Sequence, residues 1–427
     1  MLEGWQDEGA CMNGSRNPLG VAMIDRDRRS ILMVAFLGLF LSGYNNFIAA
    51  IALLDMKSQL KLTPTAVGMM LAAVFVGMLI GGLAFGHAAD RWGRRPSMIV
   101  AMMCIALFAV LSGLAASGWQ VIVLRLLMGV GIGAGYPIGS TYVADISPPN
   151  VRGANMTLAF CGWGFGALAC GIAGWWCTAL FPAAFAWRVM LATGALPALA
   201  ALLLILQRKL PESHAWKHAQ TFEKLSYKTL ISHGNRRRTA AALLPWFLMD
   251  LPVYGVGLLV PTLLLQMHVG GPHAAIVSTV ALAAFTLVGF WIAYVSIDRI
   301  GRRRLQIIGF ILMAALFTLL ALAGQKLEPW QLVAVFAVMQ ICINAGPNTT
   351  TWIVAAEVFP TRLRARGQGS ATAFSRIGAA CGAFALPIIN ARVGEVVVFA
   401  IVGGASIVAA LITWMYLPET ARLELTH

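Results

Sequence analysis

The most regular feature of the chain is a series of long apolar runs separated by short polar turns. Each run has about 18 or more residues, the length that a helix needs to cross the roughly 30 Å hydrocarbon core of a bilayer. Because apolar and polar residues do not alternate within the runs, they predict helices rather than barrel strands. The runs cover residues 31–54, 66–86, 97–115, 119–143, 153–180, 186–206, 240–265, 274–296, 305–324, 329–355, 367–389 and 394–417. The pattern therefore predicts an all-α integral membrane protein with twelve transmembrane helices.

One longer polar stretch interrupts the series after the sixth run and divides the chain into two halves of six runs each. The first residues are also polar and of mixed charge, so we expect a loose tail without a cleavable signal peptide. The predicted parts are the N-terminal tail over residues 1–30, the N-terminal six-helix bundle over 31–206, the inter-domain loop over 207–239, the C-terminal six-helix bundle over 240–417 and a C-terminal tail over 418–427.

Composition supports a membrane location, and the distribution of charge orients the chain. Only 11% of the residues are charged, whereas soluble proteins have about 25%. Of the 31 lysines and arginines, 24 lie in the tails and the loops on the same side as the inter-domain loop, and five lie in the opposite loops. The positive-inside rule then predicts cytoplasmic termini in a multi-pass protein of a cell membrane, which we expect to be a bacterial inner membrane. The net charge of +14 is thus a topology signal, and we expect contacts with lipid headgroups rather than nucleic acid.

The sequence offers no motif for catalysis or for binding a cofactor. The seven cysteines occur singly and mostly in apolar runs, so we interpret them as small core residues rather than disulfide or metal ligands. We find no nucleophile elbow, phosphate-binding loop or metal-ligand spacing. We therefore predict no enzyme activity, no catalytic residue, no metal and no cofactor.

A charged turn occurs twice, at equivalent positions of the two halves. It reads "GHAADRWGRRPSM" after the second run, residues 86–98, and "IDRIGRRRLQ" after the eighth, residues 297–306. The repeat indicates two structurally related halves, which is typical of secondary transporters. We predict a latch that holds the halves together in one state, although a merely solvated basic loop is the alternative. The latch residues are Asp90, Arg91, Gly93 and Arg94 in the first turn, and Asp298, Arg299, Gly301 and Arg302 in the second.

With these two turns, three further segments resemble signatures of the major facilitator superfamily. They are "RLLMGVGIGAGYP" (residues 125–137), "PESHAW" (211–216) and "LPET" (417–420). The resemblance implies the major facilitator fold, with twelve helices in two pseudo-symmetric six-helix bundles that work by alternating access. Two segments, "WFLMDLPVYG" (246–255) and "GPNTTTWIVAAEVFPTRLRARG" (346–367), are most similar to the phosphate:proton symporter branch. Bacterial carriers of sugars, organic acids and vitamins share parts of both segments.

Two charged residues lie deep inside the apolar runs and are candidates for transport chemistry. Asp250 stands about 15 Å into the seventh run, and Arg376 stands at a similar depth in the eleventh. An ionisable residue at this depth is a functional candidate because it is expensive to bury. We predict that Asp250 takes and releases a proton and that Arg376 binds an anionic substrate through its planar guanidinium. A purely structural ion pair is the alternative for both residues.

Polar and aromatic residues near these charges are candidate substrate ligands. Trp246 and Tyr254 lie four residues on either side of Asp250 and therefore share its helix face. Asn344 and Asn348 belong to the most polar patch of any run, at a helix irregularity predicted at Gly346-Pro347. The predicted substrate-binding residues are Asn45, Tyr136, Trp246, Tyr254, Asn344, Asn348 and Arg376. We also expect a helix break at Tyr136-Pro137, and plain packing is the alternative for the aromatic residues.

The resemblance assigns further roles outside this group. It implies that Arg125 serves proton coupling or gating, with helix packing as the alternative. Asp145 and Glu357 end the fourth and tenth runs and, together with Arg152 and Arg364, are predicted to form gate salt bridges.

The chain also departs from the phosphate:proton symporter branch. Relatives often carry acids near the positions of Ser42 and Asn45 and at the position of Gly135. Their loss removes negative charge from the site, so with Arg376 retained we expect it to favour anions. We predict a monomeric, proton-coupled transporter that imports a small anionic metabolite, with the proton, the substrate and the bilayer as partners. The alternatives are proton-driven efflux of a drug or metabolite, phosphate or sugar symport, and transport with weak or no coupling.

Overall fold

The computed structural model describes residues 18–213, 216–217, 226–232, 234–266 and 274–423. These residues are almost entirely helical, and no strand occurs among them. The helices are α1 (Pro18–Gln59), α2 (Pro64–Trp92), α3 (Arg94–Leu114), α4 (Gly118–Ile146), α5 (Arg152–Leu180), α6 (Ala183–Thr193), α7 (Ala195–Arg208), α8 (Arg236–Gln266), α9 (Ala274–Ile300), α10 (Arg302–Ala323), α11 (Pro329–Ala345), α12 (Pro347–Glu357), α13 (Arg364–Val393) and α14 (Glu395–Tyr416). Two 3-10 segments cover Tyr227–Ile231 and Gly324–Lys326.

Twelve segments of the described chain are long and apolar enough to cross a membrane, and they match the twelve predicted runs. The sixth span combines α6 and α7, which meet at Gly194, and the tenth combines α11 and α12, which meet at Gly346. Pro347 explains the second interruption, since proline has no backbone donor and begins a new helix well. The irregularity predicted at Gly346-Pro347 is confirmed.

Two local predictions are wrong, the helix break at Tyr136-Pro137 and the length of the loose N-terminal tail. α4 runs without a break from Gly118 to Ile146 and contains Pro137. Glycines before Pro137 let α4 pack closely on α2, as Gly133 does against the backbone of Met78. This close packing keeps α4 continuous through Pro137. The predicted loose tail is also shorter than expected because α1 already begins at Pro18, while residues 1–17 lie outside the described part of the chain.

The two halves contact each other mainly through two helix pairs. α2 packs against α4 within its own half and against α13 of the other half. α5 of the N-terminal half packs against α9 of the C-terminal half. Aromatic contacts strengthen the second pair, since the Phe160 ring lies 5.5 Å from Phe290 and 5.0 Å from Trp352 between ring centroids. These contacts bring the two repeated turns close to each other at one end of the helix bundle. We call this end of the molecule the turn end.

Glycine is required in both repeated turns. Gly93 and Gly301 separate α2 from α3 and α9 from α10, with φ angles of +106° and +96°. This left-handed region is open to glycine but strains other residues. A side chain at either position would also collide with a carboxylate, that of Glu212 beside Gly93 and that of Glu419 beside Gly301. The repeated glycines therefore let an acidic side chain reach the backbone of each turn.

Candidate functional site

The middle of the helix bundle contains a buried ion pair between α8 and α13. Arg376 Nη2 lies 3.0 Å from Asp250 Oδ2, and both side chains are only 2% exposed. α8 and α13 can approach closely because Gly378 and Gly382 of α13 face backbone carbonyls of α8. The structure thus joins the two charged residues that sequence depth alone placed at the same level.

Three aromatic rings surround the guanidinium group of Arg376. Its Cζ atom lies 5.0 Å from the ring centroid of Tyr136, 5.5 Å from that of Tyr254 and 5.9 Å from that of Trp246. Arg376 Nη1 also donates a hydrogen bond of 3.2 Å to the Tyr254 hydroxyl. Ring faces attract a cation by their electron distribution, and they do so most strongly away from water. We call Asp250, Arg376 and these three aromatic residues the central cluster.

The central cluster spans the interface between the two halves. Tyr136 comes from α4 of the N-terminal half, and its hydroxyl lies 2.9 Å from Ser42 Oγ of α1. Phe75 of α2 packs edge-on against Tyr254, with ring centroids 4.8 Å apart. A relative movement of the halves would therefore change the surroundings of Arg376, although its ion pair with Asp250 lies within one half.

The predicted polar patch forms a separate network at the junction of α11 and α12. Asn344 Nδ2 donates to the Gln340 carbonyl at 2.8 Å and lies 3.4 Å from Thr286 Oγ1 of α9. Asn348 Nδ2 donates to Asn344 Oδ1 at 2.7 Å. None of the described hydrogen bonds links this network to Arg376. The role of Asn344 and Asn348 in substrate binding therefore stays a prediction.

Arg125 lies in a different environment from Arg376. It is 1% exposed, and its Nη2 donates at 3.3 Å to the backbone carbonyl of Asn45. Its Nε and Nη1 atoms have no hydrogen-bond partner within the described chain. The Asn45 amide donates to the Leu41 carbonyl at 2.9 Å. The structure thus places Asn45 beside Arg125, and its predicted substrate contact stays untested.

At the turn end, a chain of ion pairs extends from the first repeated turn into the C-terminal half. Arg94 Nη1 lies 3.1 Å from Asp90 Oδ1, and Arg94 Nε lies 3.6 Å from Asp145 Oδ2. Asp145 in turn pairs with Arg364 of α13 at 2.5 Å. Glu212 accepts the backbone N–H of Arg94 at 2.9 Å. We call Asp90, Arg94, Asp145, Glu212 and Arg364 the N-terminal latch.

The second repeated turn forms the equivalent C-terminal latch, which comprises Arg152, Asp298, Arg302, Glu357 and Glu419. Arg302 Nη1 lies 2.7 Å from Asp298 Oδ1, and its Nε and Nη2 donate to the two oxygens of Glu357 at 3.0 and 2.9 Å. Glu357 also lies 4.0 Å from Arg152 of α5, and Glu419 accepts the backbone N–H of Arg302 at 2.9 Å. The two-point contact with Glu357 fixes the planar guanidinium of Arg302 within the C-terminal half.

One carboxylate of each repeated turn also binds the start of a helix from the opposite half. Asp298 accepts the backbone N–H groups of Gly153 and Ala154 in α5 at 3.1 and 2.7 Å. Asp90 accepts that of Arg366 in α13 at 3.0 Å. Free N–H groups at a helix start favour a negative charge. The acids of the repeated turns thus link the halves, while Arg91 and Arg299 of the same turns are exposed.

The inter-domain segment adds a third link at this end. The hydroxyl of Tyr227 donates to the Leu83 carbonyl of α2 at 2.7 Å, and the guanidinium of Arg366 lies 5.9 Å from the Tyr227 ring centroid. Burial raises the pKa of Tyr227 to about 12, so its hydroxyl stays a donor at neutral pH. Tyr227 therefore contacts both halves.

Sequence reasoning missed the roles of Glu212 and Glu419 in the latches. Both belong to segments in which Pro-Glu is followed by Ser or Thr, and the hydroxyls of Ser213 and Thr420 bind Asp145 and Glu357 at 2.7 and 2.6 Å. The recurrence of this short pattern at the ends of both halves was the available signal.

Comparison with known proteins agrees with this architecture. Residues 35–296 match the profile described as the Major Facilitator Superfamily, and residues 217–427 match that of the sugar (and other) transporters. The chain belongs to the Major Facilitator Superfamily. It is a multi-pass secondary active transporter rather than an enzyme, as predicted.

Relatives of this superfamily member transport different solutes. The inner membrane metabolite transport protein YgcS of Escherichia coli is 29% identical, over 90% of this chain and 89% of that protein. The repressible high-affinity phosphate permease of Neurospora crassa is 27% identical, over 88% of this chain and 81% of that protein. The solved proton:xylose symporter XylE of E. coli, with bound 6-bromo-6-deoxy-D-glucose, has a TM-score of 0.82 at 20% identity, over 94% of this chain and 98% of that chain. This likeness confirms the major facilitator fold.

Proposed function

We propose that this transporter imports a small anionic metabolite together with a proton. The observation that carries the proposal is the buried pair of Asp250 and Arg376 in the C-terminal half, which Tyr136 of the N-terminal half contacts. A buried guanidinium requires a negative partner because an unpaired charge in a medium of low polarity is costly. Asp250 supplies that partner in the closed pair. A substrate anion can supply it instead only if Asp250 loses its own charge.

This competition couples the two ligands. Protonation of Asp250 neutralises its carboxylate and leaves Arg376 without a partner. An anion that then binds Arg376 restores the charge balance of the site. Because neither the anion without the proton nor the proton without the anion gives a neutral site, the two are carried together.

The aromatic residues of the central cluster favour a particular kind of anion. Trp246, Tyr136 and Tyr254 place ring faces around the guanidinium, so much of the surface near the cation is apolar carbon. A monocarboxylate with a planar or apolar body fits such surroundings better than a highly charged phosphate. The names of the relatives include both phosphate and metabolite transport, and the screen below compares both kinds of solute.

Alternating access follows from the latches. Both latches join the halves at the turn end, and this end must open for the bound solute to leave there. With the lysines and arginines concentrated on this side, we propose that the turn end and both termini face the cytoplasm of a bacterial inner membrane. We also propose that one monomer is the working unit, since both halves of the site come from one chain.

Uptake into proteoliposomes tests the coupling. A thermal-shift screen with inorganic phosphate, benzoate, succinate, nicotinate and glucose first identifies a substrate. The wild-type protein should then accumulate it in response to an inward proton gradient, whereas Asp250→Asn should lose this response. The matched control is Asp55→Asn, which changes an acid near the end of α1 that lies away from the turn end. If Asp250→Asn responds to the gradient as the wild type does, Asp250 is not the coupling residue.

Hydrogen exchange tests the latches. Arg302→Gln removes the central cation of the C-terminal latch and should accelerate exchange of the Gly153 and Ala154 amides, because Asp298 loses its fixed position. Arg91→Gln changes an exposed arginine of the first turn and should leave this exchange unchanged. Equal exchange in Arg302→Gln and the wild type would contradict the latch.

A further inference from the structure

Arg125 differs from every other fully buried arginine of the described chain. Five arginines are among its largest side chains with less than 2% exposure: Arg94, Arg125, Arg302, Arg364 and Arg376. Four of them form ion pairs with an aspartate or glutamate at 2.5 to 3.1 Å. Arg125 alone among these five has no ion pair with any described carboxylate.

The surroundings of Arg125 leave much of its binding capacity unused. A guanidinium has five N–H donors, and the hydrogen bond from Arg125 is the 3.3 Å contact with the neutral carbonyl of Asn45. Its Nε and Nη1 atoms are buried without a partner in the described chain. The side-chain amide of Asn46, the next residue of α1, is also buried, and neither its nitrogen nor its oxygen has a partner there. The guanidinium of Arg125 thus has unpartnered donors, and the amide of Asn46 has no described hydrogen-bond partner, at nearly the same level of α1.

The position of Arg125 relative to the central cluster follows from α1. Ser42 contacts the Tyr136 hydroxyl of that cluster, and Asn45 receives the bond from Arg125. Three residues of helix correspond to a rise of about 4.5 Å, so the two contacts lie on one face of α1 about one turn apart. Asn45 lies further along the helix, on the side away from the turn end. The guanidinium of Arg125 therefore lies beyond the central cluster, near the end of the bundle opposite the latches.

We infer that Arg125 is the cation of a second anion-binding site, separate from Arg376, which takes a small oxyanion such as a carboxylate or phosphate group. The planar fork of guanidinium donors suits the two oxygens of such a group. The amide of Asn46, the next residue of α1 after the present contact of Arg125, is a further buried polar group without a partner in the described chain. This site requires neither Asp250 nor proton coupling, so it goes beyond the proposed function. An anion held there would lie further from the turn end than Arg376, on its path through the protein.

This inference is tested by measuring anion binding to a variant that lacks Arg376 and to one that lacks both Arg376 and Arg125. The purified full-length chain in detergent is titrated with sodium benzoate and, separately, with sodium phosphate at constant ionic strength, and the unfolding temperature is measured. In Arg376→Gln, at least one of the two anions should still raise this temperature. In the double variant Arg125→Gln/Arg376→Gln, the shift should disappear. The relative effects of benzoate and phosphate distinguish a carboxylate site from a phosphate site.

Two further variants keep the test decisive. Arg125→Lys retains the charge but not the fork, and in the Arg376→Gln background it should weaken anion binding by about tenfold or more without abolishing it. This variant serves even if Arg125→Gln does not fold. Arg208→Gln, at the exposed end of α7, should leave the shift of Arg376→Gln unchanged.

The inference is overturned if neither anion stabilises Arg376→Gln, or if the double variant keeps the full shift. Both results can be separated from failure of the proposed function, because no proton gradient enters the measurement. A normal shift in Arg376→Gln combined with unchanged coupling in Asp250→Asn would retain the second site and reject the coupling mechanism.

Discussion

Arg376 and Arg125 are both buried within membrane spans, yet their charges are balanced in different ways. Arg376 of the C-terminal half has a carboxylate at 3.0 Å and aromatic rings around its guanidinium. Arg125 of the N-terminal half has a neutral carbonyl at 3.3 Å and unpartnered nitrogens in the described chain. Equal burial therefore does not imply equal function. The first charge is balanced by a carboxylate of the protein, whereas the second has no described carboxylate beside it.

The difference also concerns what each half contributes to transport. The C-terminal half holds a complete ion pair, so protonation of Asp250 can change its charge state. The N-terminal half has Ser42, Asn45 and Gly135 at the positions where the family resemblance implies acids. In our mechanism, proton coupling therefore belongs to the C-terminal half and additional anion binding to the N-terminal half.

The largest effect is expected from Arg376→Gln. It leaves Asp250 buried without its partner, which should lower the free energy of unfolding by about 3–5 kcal/mol and abolish uptake. Arg125→Gln should cost much less, because no carboxylate loses a partner. Thermal unfolding in detergent measures both variants under identical conditions. If the two substitutions destabilise the protein equally, the distinction between a paired and an unpaired arginine is wrong.

The double variant Asp250→Asn/Arg376→Gln should be more stable than Arg376→Gln alone. Removing both charges leaves no unpaired ion, so we expect a recovery of about 2 kcal/mol in the free energy of unfolding. A double-mutant cycle with Asp250→Asn isolates this coupling energy. Strict additivity of the two single effects would show that the residues do not interact.

Asn45→Asp tests whether Arg125 can accept an internal partner. The new carboxylate lies on the residue whose carbonyl already binds Arg125, so a charged hydrogen bond of about 1.5–3 kcal/mol can form. We expect a higher unfolding temperature, and in the Arg376→Gln background we expect weaker binding of benzoate and phosphate. Adding Arg125→Gln should remove the gain in stability. A gain that persists without Arg125 would have another origin.

The smallest effect is expected from Ser42→Ala. It removes one neutral hydrogen bond to Tyr136, which should lower the free energy of unfolding by about 1 kcal/mol. Tyr136→Phe is the matched variant, since it removes the other partner and keeps the ring beside Arg376. Uptake should continue in both variants. A loss of uptake as severe as that of Arg376→Gln would mean that Ser42 and Tyr136 bind the substrate through their hydroxyls.

Much of the fold could be predicted because length and polarity decide which segments cross a membrane. The irregularity at Pro347 was equally accessible, since proline removes a backbone donor at any site. Pro137 shows the limit of this reasoning, because the close packing of glycines such as Gly133 on α2 keeps α4 continuous. Local chemistry predicts a tendency, and the neighbouring helix determines the result.

The candidate site could be predicted only in part. Asp250 and Arg376 were identified from their depth, and the aromatic face around Asp250 followed from a spacing of four residues. The placement of Tyr136 over Arg376 could not be derived, because the two residues are 240 positions apart in different halves. The lack of a carboxylate beside Arg125 was equally hidden, since a sequence shows which acids exist but not which of them reach a given arginine.

The sequence by itself determined the helices, their number, the sidedness expected from basic residues and the doubling of the charged turn, because these depend on local composition and order. Only the tertiary structure decided which charges meet. The latches cross between halves, with Asp145 on Arg364 and Glu357 on Arg152, because the packing of α2 on α13 and of α5 on α9 brings helix ends together that are distant in the chain. The packing of α8 on α13 gives Arg376 its carboxylate, and the packing of α4 on α1 leaves Arg125 with a carbonyl.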